Sequence, residues 1–133
     1  MAIIDYRKDV KITAEDLSSV FQLSGLKRPY EDLHRLERMI ENADILISAW
    51  DEDKLVGVAR AITDFSYCCY LSDLAVDQEY QNRGIGRELV RFVQDRIGEE
   101  VTLLLLASPI AMEYYPHIGF DKVNNGYMIP RKR

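Results

Sequence analysis

The chain has 133 residues, 47% of them hydrophobic and 29% charged, which suits one globular domain with a single core over residues 1–133. Its formal net charge of −5 argues against a nucleic-acid backbone as a partner, so any basic site must be local. No apolar run approaches the ~20 residues needed to cross a bilayer, and the start lacks a signal-peptide pattern, so a cytoplasmic protein without a membrane partner is expected.

In chain order, residues 3–7 alternate weakly and predict a first strand ending in a charged turn at Lys8 and Asp9. Thr13 followed by Glu15 and Asp16 reads as a helix start, with Leu17, Val20 and Phe21 as the apolar face and Gly25 as the stop. Residues 25–29 form a loop claimed by neither pattern. A second amphipathic helix is expected over residues 30–42. Residues 45–50 and 55–62 make a hairpin around an acidic turn, and Gly57 inside its second strand implies a bulge or something packed close to the backbone. A long fourth strand covers residues 67–76.

That strand runs into Gln81, Asn82, Arg83, Gly84, Ile85, Gly86 and Arg87, a turn that restarts as a helix ending at Gly98. A helix start exposes backbone N–H groups, glycines leave them uncovered, and the flanking arginines add charge, so the turn is read as a seat for a diphosphate. Residues 101–107 do not alternate, which predicts a strand covered on both faces and a right-handed βαβ unit. A short helix is expected over residues 110–115, ending before Pro116, and two short strands over 120–123 and 127–130. These elements describe an α/β fold, a mixed sheet with helices on both faces. Cys68 and Cys69 are adjacent and read as reduced packing residues; no metal site is expected.

Gly84-x-Gly86 alone is weak evidence. A P-loop would need Lys and then Ser or Thr after Gly86, and a dinucleotide fingerprint a third glycine where Leu89 stands. The run from Gln81 to Gly86 resembles instead the pyrophosphate loop of the GNAT superfamily of N-acetyltransferases, as do Leu74, Ala75, Val76 and Asp77 before it. Tyr114, Tyr115 and Gly119-Phe120 resemble that family's later aromatic segment.

The resemblance implies a single domain with a mostly antiparallel sheet and a splayed parallel central strand pair. It implies acetyl-CoA as co-substrate and direct transfer in a ternary complex to a small-molecule amine or a protein amino group. The backbone of Leu74, Ala75 and Val76 would take the pantetheine arm, and residues 81–87 the diphosphate. Ser108 stands where many relatives carry an asparagine that contacts the arm. Tyr115 would protonate the departing thiolate, with half-buried packing as its plainer reading.

Asp73 is the candidate base, or else a satisfied structural carboxylate; Glu79 and His117 are further candidates. Lys27 and Arg28 could meet an acidic acceptor or stand solvated. A non-catalytic acyl-CoA binding or sensing domain is the alternative function. The identity of the acceptor and the possibility of a homodimer are left open.

Overall fold

The structure is a computed structural model that describes residues 3–133; Met1 and Ala2 of the expected domain lie outside the described residues. Five strands form one sheet in sequence order: β1 (Asp5–Lys8), β2 (Ile45–Asp51), β3 (Lys54–Thr63), β4 (Cys68–Val76) and β5 (Thr102–Leu104). The first four pair antiparallel, and β5 pairs parallel with β4. Helices α1 (Ala14–Ser24) and α2 (Leu33–Glu41) cover one face, and α3 (Ile85–Ile97) covers the other. The short α4 (Tyr114–His117) follows β5.

Local chemistry sets the helix ends. Thr13 accepts a hydrogen bond from the Asp16 N–H at 3.0 Å, and Gly25 closes α1 at φ 81°. The α1 stripe of Leu17, Val20 and Phe21 is fully buried, worth about 1.5–3 kcal/mol per side chain. Asp32 caps α2, accepting from the Arg35 N–H at 3.1 Å, so this helix begins at Leu33, later than residue 30.

The hairpin forms as expected, with Asp51 facing Lys54. At Gly57 a side-chain carbon would lie 3.1 Å from Ile85 and 3.2 Å from Leu89, so close approach of α3 explains the glycine. The adjacent cysteines are free; Cys68 is exposed and Cys69 buried, as opposite faces of a strand require.

The carboxyl-terminal third differs from expectation. β5 spans only Thr102–Leu104, and Leu104 and Leu106 are 47% and 56% exposed, because β5 lies at the sheet edge. Periodicity cannot distinguish a run buried on both faces from an apolar edge. The two strands expected over 120–123 and 127–130 are absent, and residues 121–133 are exposed throughout. Pro116 lies inside α4, in the first turn, where its missing N–H has no helical partner to lose. The segment before it is a 3₁₀ turn over Pro109–Ala111. Among the described residues no helix is long and apolar enough to cross a membrane.

Candidate functional site

The β4–β5 ladder stops at Tyr70 opposite Leu104, whereas β3 stays paired with β4 as far as Val76. The end of β4 therefore keeps one edge without a strand partner among the described residues, where an extended ligand could pair with the backbone. Leu74 and Val76 pack toward α3, and Ala75 packs toward α1 and α2. Asp73 is fully buried. Its Oδ1 accepts from Arg28 Nε at 2.5 Å and its Oδ2 from Arg60 Nε, so both oxygens of the candidate base are occupied by guanidinium groups. Arg28 also donates to the Ser72 carbonyl at 2.8 Å, and Arg60 to the Ser72 hydroxyl at 3.0 Å.

Past Val76 the chain is pinned before the glycine turn. The Asp77 N–H donates to Val56 O at 2.8 Å, and its Oδ1 accepts from the Glu79 N–H at 2.9 Å. Lys54 Nζ lies 3.1 Å from its buried Oδ2, an ion pair whose geometry falls short of a hydrogen bond. That contact raises the Lys54 pKa. Tyr80 donates to Asp51 at 2.5 Å, and Arg83 stacks over the Tyr80 ring at 5.0 Å. The Gln81 amide donates to Val76 O at 2.9 Å, tying the turn back to the strand end.

Asn82 at φ 65° and Gly84 at φ 80° bend the chain into α3. No side chain caps this helix start, so its first N–H groups remain open beside the exposed Arg83 and Arg87. Ile85 and Gly86 are buried. Any side-chain carbon at Gly86 would overlap the hydroxyl of Tyr114, which therefore reaches the same helix start. Arg87 points at the His117 carbonyl from 3.5 Å, the outer limit of a hydrogen bond, bringing α3 and α4 together.

Tyr115 is half-buried, its ring edge-on to Tyr114 at 5.3 Å and to Phe120 at 5.5 Å. Burial raises its pKa above the ordinary 10.0, and the neighbouring Tyr114 adds to this, while the Arg28 charge opposes it. The phenol thus keeps its proton at neutral pH. Ser108 is half-buried and accepts the Ala111 N–H at its carbonyl, 2.9 Å away, with its side chain making no capping bond. Glu79 and His117 are exposed.

Sequence reasoning missed Arg60 as a partner of Asp73 and Tyr114 as a neighbour of Gly86. The only available signal for the first was an arginine inside an otherwise apolar strand.

A family model described as an acetyltransferase (GNAT) domain matches residues 15–128. An uncharacterized N-acetyltransferase, ycf52 of Pyropia yezoensis, is 27% identical over 132 residues, covering 90% of this chain and 74% of its own. Among solved structures, a probable acetyltransferase from meticillin-resistant Staphylococcus aureus superposes with TM-score 0.82 at 24% identity, covering 97% of this chain and 99% of the other. The aminoglycoside N-acetyltransferase AAC(6')-Iy, in complex with CoA, superposes with TM-score 0.73 at 17% identity, covering 100% and 97%. At these identities the structural likeness is one of fold.

Proposed function

This chain belongs to the GNAT acetyltransferase family, and from that premise we propose that residues 1–133 form one acetyl-CoA-dependent N-acetyltransferase domain that acts on a primary amine by direct transfer. The observation that carries the reading is the uncapped start of α3, flanked by Arg83 and Arg87 and lying beyond the open edge of β4. A diphosphate suits the first, and an amide-rich arm suits the second.

In this reading the N–H groups at Gly84, Ile85, Gly86 and Arg87 hold the diphosphate, with Arg83 adding charge. Asn82 and Gly84 shape the bend, and Gln81 braces it against Val76. The backbone of Leu74, Ala75 and Val76 aligns the pantetheine arm, with Ser108 near its far end. The backbone N–H near Val76 would stabilise the oxyanion. The amine nitrogen forms a bond to the acetyl carbon, the carbon–sulfur bond breaks, and Tyr115 delivers its proton to sulfur. The nitrogen sheds its own proton to water, and the phenolate is then reprotonated from solvent.

In this reading Asp73, fully buried and bonded through both oxygens to guanidinium groups, positions Arg28, and water takes the proton from the amine. The discriminating experiment is a thermal shift with coenzyme A followed by a turnover assay. Coenzyme A at ~100 times Kd should add about 2.7 kcal/mol of stability. Free thiol should appear only when an amine is supplied. Binding without thiol release on any amine would favour a sensing domain, and no stabilisation would remove the coenzyme from the account.

A further inference from the structure

Asp73 is one carboxylate between two guanidinium groups, so the Arg28, Asp73 and Arg60 cluster carries a formal charge of +1. Arg60 is 10% exposed at its side chain and Arg28 26%, so the uncompensated charge is reachable from solvent at Arg28.

A guanidinium has five N–H donors. Arg28 uses three of them, on Asp73 Oδ1 at 2.5 Å, on Ser72 O at 2.8 Å and on Lys27 O at 2.7 Å. Two remain. The group is held rigidly through Nε and both terminal nitrogens, which makes it a receptor whose ordering entropy has already been lost on folding.

Its location matters as much as its chemistry. Ser72 and Asp73 lie just past Tyr70, where the β4–β5 ladder opens. The Arg28 charge also opposes the rise in the Tyr115 pKa, so the two groups are within electrostatic reach of each other. Lys27 is exposed beside Arg28. A polyamine would meet repulsion there, whereas a carboxylate would complete the charge balance and occupy the spare donors.

Resting on the acetyltransferase reading, we propose that the acceptor bears a carboxylate as well as its amine, as an amino acid does, and that Arg28 receives that carboxylate. A purely structural clamp between the loop and β4 would need only one arginine on Asp73. The second arginine leaves a charge for which the described residues supply no counter-ion.

The test uses matched acceptors with acetyl-CoA: an α-amino acid, its carboxamide and its decarboxylated amine. Transfer to the acid is expected to exceed transfer to the carboxamide in kcat/KM by roughly ten- to hundredfold. Arg28→Ala should bring that ratio toward one while the thermal shift with coenzyme A persists. Arg28→Lys, which keeps the charge and loses the planar fork, should give an intermediate ratio and serves if the alanine variant does not fold. Transfer to carboxamide or decarboxylated amine as good as to the acid overturns the proposal and leaves the acetyltransferase reading standing. An unchanged ratio in Arg28→Lys also overturns it. Transfer to no amine overturns both.

Discussion

Nε of Arg28 lies 2.5 Å from Oδ1 of Asp73, joining the loop after α1 to β4 across 45 residues of chain. The contact fixes a surface loop to β4. Asp73→Asn should therefore destabilise the fold, because two guanidinium groups lose their shared carboxylate. The expected loss is about 3 kcal/mol, at the low end for a broken buried pair because Arg28 is partly solvated. Urea unfolding measures it; a loss below ~1 kcal/mol would mean that water compensates both arginines.

Gly84 and Gly86 are required for different reasons. Nothing lies near a side-chain carbon placed at Gly84, but its φ of 80° is left-handed, so Gly84→Ala should cost about 1–2 kcal/mol of stability through backbone strain alone. At Gly86 the obstacle is the Tyr114 hydroxyl. Gly86→Ala should weaken coenzyme A binding roughly tenfold, about 1.4 kcal/mol. Adding Tyr114→Phe should recover part of that loss, and calorimetry across the double-mutant cycle reads the coupling.

Tyr115→Phe should lower kcat by roughly a hundredfold while coenzyme A affinity changes little. Steady-state kinetics paired with calorimetry separates the two quantities. Unchanged turnover would leave the phenol only a packing role.

Four tyrosines bear on the alkaline edge of stability; the Tyr80 hydroxyl, donating to Asp51, has its pKa raised by that bond. Burial raises the pKa of Tyr6, Tyr114 and Tyr115 above 10.0, with Glu88 adding to the first, Tyr114 adding to the third, and the Arg87 and Arg28 charges opposing in the second and third. Each is harder to ionise folded than unfolded. Their contribution is thus fully present below pH 10 and is lost as pH rises through the folded values. Urea midpoints should fall above pH 10, and Tyr115→Phe should make that fall shallower.

What could be read from sequence was what depends on neighbours along the chain. Thr13 and Gly25 bound α1 because a cap bonds within three residues of itself. The hairpin at Asp51 and the bend at Gly84 are similarly local. Alternation also placed Asp73 on the face opposite Leu74, where the Arg28 contact and the packing of Leu74 toward α3 now put them.

The misreadings concern distant partners. Leu104 and Leu106 look buried until β5 is placed at the sheet edge, with β4 on one side and no strand of the described residues on the other. Pro116 looks like a stop until the helix start is located at Tyr114, two residues before it. Arg28 could be solvated or functional, and Asp73 and Ser72, far along the chain, orient it together with the Lys27 carbonyl.

The most direct measurement of the central claim is thiol release from acetyl-CoA across a panel of primary amines, with product identified by mass spectrometry. Release should be matched one to one by N-acetylated amine and sharply reduced in Tyr115→Phe. Saturable coenzyme A binding with no acetylated amine from any class would contradict it.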